Sequence, residues 1–149
     1  MTDLVAVARA IVDSNRYMTL ATADAGGVPW ASPVWYAPAD YRDFFWVSDP
    51  EARHSRNVAA RREVGIAIFD SDAPIGTGRG VYVAAIAEEV AGTEREHGIG
   101  VFSRRSVEQG ASAWTVDDVR GPARLRLYRA TAVEVYVGER DDRRVRIEL

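Results

Sequence analysis

The sequence predicts a mainly β protein, an antiparallel barrel or sandwich with accessory helices, and three observations carry that prediction. Six or seven short segments are apolar or alternate in the manner of strands. Short polar turns join most of them, which suits antiparallel pairing and not a series of βαβ crossovers. The 149 residues contain no linker, repeat or low-complexity stretch, so a single domain spanning 1–149 is expected.

The elements follow in order. Over about 3–14, Leu4, Val5, Ala8, Ile11 and Val12 fall on one stripe of a helix, and the barrel occupies about 17–149. "YMTLATA" (17–23) and "VPWASPVWYA" (28–37) read as a hairpin turned at Gly26 and Gly27. Pro29 and Pro33 place the second strand at an edge or a bulge. "PADYRD" is read as a turn and "FFWVS" (44–48) as the third strand. Asp49 then suits a helix N-cap and Pro50 the first helical position, with a short helix running to about Ala60. "VGIAIFD" (64–70) and "VYVAAIAEEV" (81–90) are strands around the loop "SDAPIGTGRG". Residues 93–109 are helical, with Ile99, Phe102 and Val107 as inward positions. The stretch 110–123 is loop or a short helical turn, "RLRLYRATAVEVYV" (124–137) is a long strand, and "VRIEL" closes the chain as the last one.

Composition narrows the chemistry. Hydrophobic residues make up 47% of the chain, enough for a real core. There is no cysteine, which excludes disulfides and thiolate ligands or nucleophiles. His54 and His97 are the only histidines, so a His-rich metal site is not expected, and His97 is read as exposed and structural. No apolar run approaches the roughly 20 residues of a membrane span, and the start lacks the basic region of a signal peptide, so a cytoplasmic protein is expected. A net charge of −3 argues against general nucleic-acid binding. All 19 cations are Arg, so any site that would ordinarily use Lys must use Arg or His here.

Most catalytic templates fail. "GTGRG" (76–80) lacks the Lys-Ser/Thr ending of a phosphate loop and precedes a strand. No serine sits in a nucleophile elbow, and the paired carboxylates at 88–89, 117–118 and 141–142 are adjacent, as in solvated turns. What stands out is "SDPEARHSRN" (48–57), which sets Arg53, His54 and Arg56 close together between two strand-like runs. Two readings are open: a solvated helix face, or a cradle for the phosphate of an organic cofactor at a helix N-terminus. In the second, protein groups need only bind, orient and tune the cofactor.

The ordered series "YMTLATADAGGVPWASPVWYAP", "FFWVSDPEARHSRN", "VGIAIFD" and "GRGVYVAAIAEEV" resembles the pyridoxamine 5′-phosphate oxidase-like, flavin-binding split-barrel superfamily over about residues 10–137. The resemblance implies an FMN-binding split β-barrel of the antiparallel Greek-key type. It implies that Ser32, Pro33, Val34 and Trp35 lay their backbone along the flavin ring. Ser48, Arg53 and His54 match the residues that hold the FMN phosphate, with His54 where the family has Lys and Ala52 where it has Ser. It also implies a homodimer with each flavin in a cleft between subunits, Trp114 being a packing or interface residue with a lesser chance of touching the ring. The true oxidase's Arg-Leu-x-Pro tail has no counterpart in "RVRIEL", which points away from pyridoxal phosphate synthesis. The expected function is an FMN-dependent oxidoreductase acting on a small molecule. The alternatives are a deazaflavin F420 reductase, whose acidic cofactor tail could use Arg56, Arg61 and Arg62, and a non-catalytic flavin- or haem-binding module.

Overall fold

A computed structural model describes residues 2–139 and 141–149. Its elements are α1 (Leu4–Ser14), β1 (Tyr17–Ala23), β2 (Pro29–Trp35), β3 (Ala37–Ala39), β4 (Asp43–Ser48), α2 (Arg53–Ala60), β5 (Glu63–Phe69), β6 (Gly80–Glu89), α3 (Thr93–Glu108), a 3₁₀ turn at Val116–Val119, β7 (Arg126–Gly138) and β8 (Arg144–Ile147). The strands form one antiparallel sheet in the order β2-β1-β5-β6-β7-β4-β3, with β8 added beside β7. The neighbours β1–β5 and β4–β7 are far apart in sequence, as a Greek-key arrangement requires. The sheet curls into the expected split barrel, with eight strands in place of the six or seven read from the sequence.

Alternation sets the two faces. Met18, Leu20, Val34, Phe44, Trp46, Ile66, Ile68, Val81, Val83 and Val137 point inward and are buried together. Ala8 and Val12 of α1 complete this core, and Asp3 caps α1 by accepting the Ala6 N–H at 3.1 Å. The opposite face of β4 and β7 carries Phe45 and Leu127, and α3 lies over it with Ile99, Val101 and Phe102. Gly98 allows that close approach: a Cβ there would stand 2.7 Å from Phe45 Cε1 and 2.8 Å from Leu127 Cδ2. Val107, read as inward, is 54% exposed, because it lies off the helix stripe of Gly98, Ile99, Phe102 and Ser106 that is buried.

The first hairpin turns where expected. Gly27 has φ +86° and donates to the Asp24 carbonyl, while the Asp24 carboxylate accepts the Gly26 and Val28 N–H groups. β2 ends up at an edge, consistent with its prolines. β3 runs from Ala37 into the segment read only as a turn, "PADYRD", and pairs with β4 through Ala37–Phe45 and Ala39–Asp43. Asp40 and Tyr41, at φ 53° and 52°, make the reversal. Among the described residues no helix is long and apolar enough to cross a membrane.

Candidate functional site

The residues after β4 do not cap α2 as the sequence suggests. The Asp49 carboxylate accepts the Glu51 N–H at 2.9 Å and pairs with Arg124 at 2.8 Å, 75 residues away. These two interactions, the backbone one first, hold its carboxyl below the usual carboxylate range. Pro50 and Glu51 belong to the turn that follows, closed by the Ala52 N–H on the Asp49 carbonyl. The helix therefore begins at Arg53 with Ala52 as N-cap, and no side chain caps it. Unsatisfied N–H groups and the positive end of the helix dipole remain at that point.

The cations of α2 differ in what they hold. Arg53 lies with its guanidinium carbon 4.2 Å from the centre of the Trp30 ring on β2. Among the described residues neither Arg53 nor Arg56 has a carboxylate partner, and both are exposed. Arg61 instead donates to the Asp24 and Ala25 carbonyls in the first hairpin. Arg62 pairs with Glu88 at 3.0 Å. The two free guanidinia thus sit on the first turn of the uncapped helix, and the two engaged ones lie beyond its end.

Inside this end of the helix is a row of hydroxyl and imidazole groups. Ser48, the last residue of β4, faces inward behind Trp46. Its Oγ lies 2.7 Å from His54 Nε2 and accepts from Ser55 Oγ at 3.3 Å. Half-burial lowers the His54 pKa, because the charged ring loses hydration there. The Ser48 contact joins the imidazole and the hydroxyl in one hydrogen bond. One turn further on, buried Asn57 donates to Thr22 Oγ1 at 3.0 Å and ties α2 to β1.

The four β2 residues share a strand but not an environment. Val34 is buried in the barrel and Ser32 is partly buried on the same face. Pro33 is exposed on the outward face. Trp35 packs edge-on to Phe102 at 5.2 Å and its indole N–H bonds the Gln109 side chain. With Val34 and Trp35 so engaged, what this strand offers a ligand is chiefly its backbone, whose outer edge is unpaired among the described residues. Trp114 stands edge-on to Phe102 at 5.5 Å and its N–H bonds Ser103 Oγ. It therefore belongs to the α3 cluster. The structure joins Ser48 to His54, sets Arg53 on Trp30 at the start of the same helix, and keeps Trp114 with Trp35 on the other side of β4. Sequence reading missed Trp30 and Asn57. Their roles show only in the fold, where Arg53 of α2 lies on Trp30 and Asn57 of α2 bonds Thr22, the residue paired with Trp30.

The donors at the start of α2 suit a phosphate: uncapped N–H groups, two unpaired guanidinia and the Ser48–His54 pair behind them. Against known proteins, a family model described as pyridoxamine 5′-phosphate oxidase matches residues 4–137. No curated protein sequence matches the chain. Among solved structures, a heme binding protein from Mycobacterium smegmatis superposes with a TM-score of 0.78 at 21% identity, over 99% of this chain and 58% of its own. This chain thus spans little more than half the length of that protein. The heme storage protein HutZ from Vibrio cholerae gives 0.71 at 19% identity, over 87% of this chain and 90% of its own. A FAD-binding protein from Mesorhizobium loti gives 0.65 at 19%, over 92% and 94%. At these identities the likeness is one of fold.

Proposed function

Because the chain belongs to the pyridoxamine 5′-phosphate oxidase family, we propose that it is an FMN-dependent oxidoreductase acting on a small molecule as a homodimer. The observation that carries this reading is the uncapped start of α2 with Arg53 and Arg56 unpaired beside it. Arg53 supplies a planar fork to the phosphate and stays anchored on Trp30. Ser48 and His54 complete the donor set from the inner side. The backbone of Ser32, Pro33, Val34 and Trp35 supports the ring system along the free edge of β2. When bound, the isoalloxazine supplies the hydride and electron chemistry, and the protein's task is to hold it and keep water from its reactive face.

The dimer has its own support. The outward faces of β1, β2, β5 and β6 carry Thr19, Ala21, Ala31, Gly65, Ala67 and Ala84, and among the described residues no helix covers them. Small uncharged residues over four strands let a second copy approach closely. FMN is favoured over F420 because Arg61 and Arg62, two of the three cations an acidic tail would need, are already engaged. It is favoured over haem because a haem module would draw an axial ligand from few candidates, and the Nε2 of His54 is already directed at Ser48.

The test is the absorption spectrum of the purified protein after FMN reconstitution, with light scattering on the same sample. A flavin spectrum, one FMN per chain and a dimeric mass are expected. A monomer that binds FMN tightly would remove the shared cleft, and no binding of FMN would remove the reading.

A further inference from the structure

Trp30 is a large apolar side chain that is 42% exposed and joins neither buried cluster of the barrel. It shares a face of β2 with Ser32 and buried Val34, at the end of the strand that meets α2. Its place against the helix is fixed from behind. Thr22, its partner on β1, is buried and takes the Asn57 amide of α2 at 3.0 Å. Trp30 is thereby held beside the first turn of α2, and the Arg53 guanidinium lies on its face, 4.2 Å from the ring centre.

Stacking uses the face of a guanidinium and leaves its edge, where all its N–H donors lie. Arg105 and Arg144 also stack, on Tyr36 and Tyr82, but their N–H groups are taken by the Val12 and Asn15 carbonyls and by Asp142. The N–H edge of Arg53 has no protein acceptor among the described residues. An exposed arginine that grips a ligand ordinarily loses much rotamer freedom in doing so. Here the ring imposes that order beforehand, and the fork is ready for an oxyanion in its own plane. Riboflavin, with a hydroxyl where FMN has its phosphate, offers no such group. The pair therefore acts on the phosphate and not on the rest of the ligand.

We propose that Trp30 is a positioning residue for phosphate recognition: its ring face fixes the Arg53 guanidinium with the N–H edge uncommitted, so that the site selects phosphate monoesters over the corresponding alcohols. This rests on the phosphate cradle of the flavin reading, and the test keeps the two apart. Trp30→Leu is expected to weaken FMN about threefold to fivefold in fluorescence titrations, the scale of an exposed cation–π contact, and to leave riboflavin unchanged. In an Arg53→Ala background the same exchange should have no further effect on FMN. Trp30→Tyr, which keeps an aromatic face, should retain most of the affinity. A residue that merely supported its strand would weaken both flavins and would do so in both backgrounds. A second measurement needs neither flavin nor a Trp30 variant that folds. Inorganic phosphate, titrated into the wild type, should shift the Trp30 indole N–H signal in NMR spectra, and the shift should vanish in Arg53→Ala. Equal FMN affinity in the wild type and Trp30→Leu would overturn the proposal and leave the flavin reading standing. A wild type that shows the Arg53-dependent phosphate shift and binds no FMN would remove the flavin reading and keep Trp30 in this role. No Trp30 shift with either phosphate or FMN would overturn the proposal.

Discussion

Nε2 of His54 faces the hydroxyl of Ser48 across 2.7 Å, so that edge of the imidazole is turned into the protein. Burial there lowers its pKa from the ordinary value of about 6.5. Below that value the unfolded chain binds a proton that the folded chain resists. Stability is therefore full above the unfolded pKa and falls as pH drops from about 6.5 toward the folded pKa. His54→Gln, which keeps a polar side chain without the titration, should lose less stability over that window. Urea unfolding from about pH 8 to 5 measures this, and parallel curves for the two proteins would contradict it.

Arg53→Ala should weaken FMN binding by about 1.5–3 kcal/mol, the scale of a charge-assisted hydrogen bond. Arg62→Ala should have little effect, because Arg62 is paired with Glu88 beyond the far end of α2. Riboflavin, which lacks the phosphate, should be nearly indifferent to Arg53→Ala. Flavin fluorescence titrations compare the three cases. Equal losses for Arg53→Ala and Arg62→Ala would mean a diffuse basic surface in place of a cradle.

Two glycines of α3 should respond to alanine with opposite signs. Either exchange gains about 1 kcal/mol in helix propensity. At Gly98 the new methyl would meet Phe45 and Leu127 at 2.7 and 2.8 Å. These side chains are 1% and 0% exposed and have no room to yield, and such overpacking costs about 1–3 kcal/mol. Gly98→Ala should thus lower the melting temperature. At Gly100 the nearest atom is the flexible end of Arg104 at 3.9 Å, so Gly100→Ala should raise it. Thermal unfolding followed by circular dichroism decides both.

The strands were legible because one face of each is buried. "YMTLATA" and "VGIAIFD" alternate in sequence as they alternate in burial. β3 was not, since three residues containing Pro38 carry no readable period. The start of α2 was misread for a different reason. Asp49 has the right chemistry for a cap, but its carboxylate is claimed by the local turn and by Arg124, a partner that only the fold brings near. The cluster of cations was visible in "EARHSRN", whereas the division between free Arg53 and engaged Arg61 was not. That division depends on the hairpin carbonyls of Asp24 and Ala25 lying under Arg61. Likewise the inward turn of His54 follows from Ser48 ending its strand on the core face.

The prolines at the two ends of the sheet bear on how the protein resists fibril growth. β2 carries Pro29 and Pro33, and β3 at the far end carries Pro38. A strand arriving at either of these two ends meets positions with no N–H to offer, which disfavours extending the ladder there. Edge-on strand addition is therefore disfavoured at β2 and at β3, whereas β8, which carries no proline, keeps an ordinary edge.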